Sequence, residues 1–145
     1  SDKSTMKALG SALGLDLPKK SGAIAESDGI ACLWLGPDEW LVLGYEGTDI
    51  EGKVNAVTGL FSAVSVSHRN TGISISGANA VNALNGGCPR DLSLEAFPVG
   101  TCSRTILGKA EIVLWRKSQD TFHVECWRSF SDYVWKFLAE AARNA

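Results

Sequence analysis

The sequence predicts an α+β fold of two related halves, mixed or antiparallel sheet with helices packed on it. Short apolar runs are joined by compact turn residues, as in hairpins, and other apolar residues recur at helical period. A hairpin leading into a helix occurs twice, begun by Leu33-Trp34 in the first half and marked by Leu114-Trp115 in the second. With 145 residues the chain is read as one domain, residues 1–145, long enough to bury a sizeable core.

Residues 1–21 are read as a lead-in, punctuated by Pro18 and followed by Gly22. Ile30 to Leu35 and Trp40 to Leu43 are apolar runs joined by Gly36-Pro37-Asp38-Glu39, which predicts a hairpin. Thr48 and Glu51 have the spacing of a capping box, and Ile50, Val54, Val57 and Phe61 follow at helical period, predicting a helix from Asp49 to Leu60. Ala63 to His68 is expected to be a strand. Ile73 and Ile75 alternate with Ser74 and Ser76 in a half-buried strand. A helix is expected from Ala78 to Asn85, stopped by Gly86-Gly87, and Cys88 to Gly100 is expected to be an ordered loop holding Pro89 and Pro98. Strands are expected at Ser103 to Leu107, Ala110 to Arg116 and Thr121 to Trp127. The closing helix runs from Phe130 to Arg143, with Ser129 as its N-cap and an apolar stripe of Phe130, Val134, Phe137, Leu138 and Ala141.

The first hairpin carries an apolar surplus. Leu33, Leu35, Leu41 and Leu43 share one face, while Cys32, Trp34, Trp40 and Val42 share the other, so neither face suits water. Another layer of the domain, a sheet from the other half, or another chain could cover the second face. Large exposed apolar patches mark association sites. The closing helix crowds Tyr133, Trp135 and Phe137 beside its stripe, with Trp127 and Arg128 just upstream. Aromatics with a polar tip are enriched in interface hot spots. The interface candidates are therefore Trp34, Trp40, Trp127, Arg128, Tyr133 and Trp135.

Composition and motifs exclude several functions. Apolar residues make up 45% and charged residues 21%, ordinary for a folded chain, and the net charge of -2 offers no basic footprint for nucleic acid. No apolar run approaches the roughly 20 residues that span a bilayer, and Ser1 to Gly14 lacks the plan of a secretory signal. Cys32, Cys88, Cys102 and Cys126 are far apart, so reduced, buried thiols in a cytoplasmic protein are expected. There is no phosphate-cradling GxGxxG after a strand and no GxxxxGK[ST]. His68 stands in a turn with Arg69 and Asn70, and His123 shares a strand face with Glu125, where a surface pair is expected rather than a general base. Cys88 follows a helix end, without the activation a nucleophile needs. Asp38 and Glu39 belong to turn geometry. No catalytic, cofactor-binding or metal-ligating residue is expected in this chain.

Three segments carry a resemblance. Trp34-Leu35-Gly36-Pro37-Asp38-Glu39-Trp40 ("WLGPDEW") resembles the gamma subunit of heterotetrameric sarcosine oxidase. Gly77-Ala78-Asn79-Ala80 through Leu84 to Gly87-Cys88-Pro89-Arg90-Asp91-Leu92 is similar to that family's "SGxxAxxxLxxGCPxDL", and Arg128-Ser129-Phe130-Ser131-Asp132-Tyr133 is similar to its "RSFxDY". The middle segment also resembles, more distantly, the folate-binding fold of the glycine-cleavage aminomethyltransferase. In that pattern Gly77 lets the helix start close to its strand, and Ala80 and Leu84 lie one turn apart on the packing face.

The resemblance implies a non-catalytic subunit that stabilises an assembly with alpha, beta and delta subunits. That assembly oxidises the N-methyl group of sarcosine and passes the one-carbon unit to tetrahydrofolate. It also implies that FAD, FMN, NAD, tetrahydrofolate and zinc belong to the other subunits or their interfaces. Two alternatives stay open: a gamma-like subunit of another N-methyl amino acid oxidase or dehydrogenase, and a stand-alone folate-binding aminomethyltransferase-like protein.

Overall fold

A computed structural model describes residues 3–27, 29–44, 47–59, 61–67 and 69–144, without the side chain of Asn144. The chain divides into two compact units, residues 1–65 and 66–145. Both are α+β with antiparallel sheets.

The first unit contains α1 (Lys3–Leu13), β1 (Ile24–Ser27), β2 (Ile30–Gly36), β3 (Glu39–Gly44) and α2 (Ile50–Asn55). Its sheet has the order β1-β2-β3. The expected hairpin is β2–β3, with Trp34 directly opposite Trp40 and Leu33 opposite Leu41. Its turn joins Pro37, whose ring fixes a negative φ, to Asp38 at φ +62°, the pattern of a type II turn. Such a turn splays two strands, and a bulge between Trp34 and Gly36 takes up the misfit.

The lead-in is not irregular. It holds α1, whose Met6, Leu9 and Leu13 gather with Ile30, Cys32, Trp40 and Val42 of the hairpin and with Ile50 and Val54 of α2. One of the hairpin's two apolar faces is thus covered by a layer of its own unit. On the other face Ala31 and Leu33 are buried, and Leu35, Leu41 and Leu43 are half-buried.

Two details of α2 differ from expectation. Its N-cap is Asp49, whose Oδ1 accepts from the Gly52 N–H at 2.9 Å, in place of a Thr48–Glu51 box. The helix also ends at Asn55, well short of residue 60, which lies outside the described residues. Gly59 has φ +152° and abuts the Thr5 side chain so closely that a Cβ there would collide with it, which the helical path cannot provide.

Residues 63–67 do not form the expected strand. Among the described residues no strand pairs with their alternation of valine and serine, and Val64 is 70% exposed. The last residue of that prediction, His68, lies outside the described residues.

The second unit runs β4 (Asn70–Ser76), α3 (Ala80–Asn85), β5 (Cys102–Leu107), β6 (Ala110–Ser118), β7 (Thr121–Trp127) and α4 (Ser131–Asn144). The sheet order is β4-β7-β6-β5, antiparallel throughout. One face, built of Ile73, Ile112, Leu114, Phe122 and Val124, packs with Ala80 and Leu84 of α3 and Val134 and Leu138 of α4. The predicted one-turn pairing of Ala80 and Leu84 is present in that core.

Gly77 serves α3 differently from expectation. A Cβ there would meet nothing within 4 Å, but its φ is +125°, so backbone conformation and not close approach demands glycine. Close approach is instead the task of Gly87, where a Cβ would strike the Phe137 ring of α4. The start of α4 also differs: residues 128–130 form a 3-10 turn, and Ser131 Oγ donates to the Arg128 carbonyl at 2.7 Å, so Ser129 is not the N-cap.

The loop from Cys88 to Gly100 is ordered by its own bonds. Asp91 Oδ1 accepts from Ser93 N–H at 2.9 Å, and Phe97 N–H donates to the Ser93 carbonyl at 2.8 Å. Phe97 is fully buried, stacked on Phe122 at 6.5 Å.

Candidate partner-binding surface

The aromatic candidates fall into three settings. Trp34 and Trp40 stand opposite each other on the β2–β3 face that packs on α1 and α2, and both are half-buried. Trp40 is tied into its own unit, its Nε1–H donating to the Pro18 carbonyl at 2.8 Å.

Tyr133 turns towards the β5–β6 connection. Its hydroxyl accepts from the Lys109 N–H at 3.0 Å, and its ring lies 6.3 Å from Phe137. Gly108 leaves the hydroxyl room, since a Cβ there would collide with it.

Trp127 and Trp135 are the most exposed aromatics among the described residues, at 61% and 59%. Alternation along β7 points Trp127 away from the core that Cys126 enters. Val134 and Leu138 take the buried face of α4, which leaves Trp135 outside it. Arg128 is exposed, with its N–H donating to the Arg69 carbonyl across the β4–β7 pair. Trp135 also walls a groove of about 340 Å³, with Thr71 to Ser74 of β4 on one side and Ser131, Asp132 and Trp135 of α4 on the other. Sequence reading named Trp135 but not the strand opposite it, because only the fold brings β4 beside the start of α4.

Among the described residues, one pair of titratable side chains meets on β7. His123 Nε2 lies 2.9 Å from Glu125 Oε1, and Asn70 Nδ2 donates to Glu125 Oε2 at 3.3 Å. This pair is less solvated than a surface pair, for the Glu125 side chain is only 10% exposed and His123 23%. Gly72 on the neighbouring strand makes room, since a Cβ there would press on both side chains.

All four cysteines are free and buried. Burial, with the Glu125 charge adding to it, pushes the Cys126 thiol above its ordinary value, the opposite of what a nucleophile needs. Cys88 Sγ sits 3.8 Å from Thr105 Oγ1 in the core. Among the described residues no three histidine, cysteine, aspartate or glutamate side chains gather to hold a metal ion. Among the described residues the groove's walls carry no lysine or arginine for a cofactor's phosphates.

The model of the sarcosine oxidase gamma subunit family matches residues 1–144. This chain belongs to that family. Among its relatives, the sarcosine oxidase gamma subunit of Arthrobacter sp. is 33% identical over 137 residues, covering 92% of this chain and 68% of that one. The gamma subunit of Corynebacterium sp. (strain P-1) is 32% identical over the same extent. In three dimensions the chain superposes on one in the heterotetrameric sarcosine oxidase of Corynebacterium sp. U-96, solved in complex with pyrrole 2-carboxylate. The TM-score is 0.90 at 27% identity, covering 97% of this chain and 73% of that one. The gamma-subunit motifs now have places: WLGPDEW is the bulged β2–β3 hairpin with its type II turn, and RSFSDY is the 3-10 turn that opens α4 beside the groove.

Proposed function

We propose that this chain is a non-catalytic gamma subunit of a heterotetrameric, flavin-dependent sarcosine oxidase, and that it stabilises the assembly. Membership of the gamma subunit family over residues 1–144 carries the proposal. The contact surface includes Trp127, Arg128 and Trp135, large side chains left in water at the end of β7 and along α4, and Trp34 contributes from the first hairpin. The partners are the alpha, beta and delta subunits, and the flavins, NAD, tetrahydrofolate and zinc are theirs. The order of sheet strands and covering helices, with a hairpin before a helix in each unit, supports a likeness to the aminomethyltransferase folate-binding fold. No described helix is long and apolar enough to cross a membrane, and free buried thiols support a reducing, cytoplasmic setting.

Co-expression with the large subunits tests the role. A stoichiometric complex with sarcosine-dependent turnover is expected, with lower thermal stability when this chain is omitted. An oxidase equally stable and active without it contradicts the proposal.

A further inference from the structure

Among the described residues no strand pairs with the outer edge of β4, and its register shows which main-chain groups it offers. Gly77 N–H donates to the Asp120 carbonyl and Arg128 N–H to the Arg69 carbonyl, so odd-numbered residues of the β4 segment make the bonded pairs with β7. The even-numbered residues therefore direct N–H and C=O away from β7. Asn70 confirms the alternation, its N–H turning back to the Val66 carbonyl. Gly72 and Ser74 point theirs outward, both residues are exposed, and among the described residues no strand pairs on that side.

Edge strands are ordinarily guarded by lysine, proline, a bulge or brevity. β4 is Asn-Thr-Gly-Ile-Ser-Ile-Ser, seven residues in unbroken register, without a charge or a proline. Beside this edge runs the groove, walled on its far side by Asp132 and the exposed Trp135. A sheet edge flanked by a helix is the setting in which extended peptides add as a further strand.

We propose that the β4 edge captures an extended segment of another oxidase subunit as a fifth strand, an inference that rests on the gamma-subunit role. The segment pairs with the main chain of Gly72 and Ser74, lays an apolar side chain against Trp135, and sets a basic one near Asp132. A second copy of this chain fits poorly. Two β4 edges paired about a two-fold axis would bring the two Asp132 carboxylates towards each other, and like charges so placed are repulsive.

Residue-resolved hydrogen exchange on the isolated chain and on the co-expressed complex tests this. The Gly72 and Ser74 amides should exchange fast in the isolated chain and slow by ~100-fold or more in the complex. Ser74→Pro removes an outward N–H that β7 does not use, a change edge strands tolerate. It should keep the isolated chain folded while weakening assembly by ~30-fold or more. Unchanged exchange of these amides in an intact complex overturns the strand addition and leaves the gamma-subunit role standing. Protection that rises with concentration in the isolated chain overturns it in favour of a second copy. No complex at all overturns both readings. Should Ser74→Pro fail to fold, the exchange measurement on the unaltered chain decides.

Discussion

Arg116 is a buried cation, 2% exposed, on the core face of β6. It acts as a clasp. One terminal nitrogen donates to the Leu92 and Phe97 carbonyls, both at 2.8 Å, and the other to the Gln119 carbonyl at 2.9 Å. Its guanidinium also lies over the Phe122 ring, 4.9 Å from the centroid. Arg116→Met keeps the apolar bulk but strands three carbonyls, so a loss of about 3 kcal/mol is expected in urea unfolding. Sequence could place Arg116 on one face with Ile112 and Leu114, yet an arginine ending a strand reads as solvated. Its true role depends on a loop that returns from more than fifteen residues upstream. Cys126 lends itself to a second test. Its raised thiol favours the protonated folded form, so this contribution is whole below the ordinary thiol value and is lost as pH climbs through the raised folded value. Alkylation of Cys126 should accordingly be slow until the chain unfolds, as peptide mapping after iodoacetamide would reveal.

Among the elements, α3 and α4 depend on one missing side chain. Gly87 meets the Phe137 ring, and its carbonyl accepts from the Gly108 N–H at 2.8 Å. Gly87→Ala should lower stability by about 1–3 kcal/mol through overpacking, read as a fall in thermal midpoint. The following loop is sensitive to acid. Ser93's main-chain N–H, aided by its hydroxyl, holds the Asp91 carboxyl below its ordinary value. That contribution is present above the ordinary carboxylate range and is lost as pH falls through the lowered folded value, so loop amides near Ser93 should lose protection first on acidification. Elements with strong local signals were legible: the β2–β3 and β6–β7 hairpins, α3 and α4. β1 was not, because its four residues hold one branched apolar side chain and gain their form from pairing with β2. Nor was α1, whose Met6, Leu9 and Leu13 are interrupted by Gly10. That glycine is there because the chain folds back at once, with Leu15 N–H reaching the Gly10 carbonyl at 2.9 Å. The valines of residues 63–67 show the reverse error, a strand pattern that no strand among the described residues pairs with.

At the scale of the whole molecule, the family was readable from motifs and the surface only in outline. Trp135 could be named from crowding on the last helix, but the groove it walls exists only once β4 lies beside α4. Trp135→Ala should weaken assembly by about 30-fold, as befits an interface hot spot, and leave the isolated chain's unfolding midpoint nearly unchanged. Calorimetric titration against the partner subunits would measure the first, and thermal denaturation the second. The uneven burial of the indoles also equips this chain with its own optical reporters. Of five tryptophans, Trp115 is shielded within a folded sheet while Trp127 and Trp135 emit from water. Docking should therefore shift emission to the blue with the fold intact, and denaturation should shift it to the red. The two events move the spectrum in opposite directions, so assembly can be followed without attaching a dye.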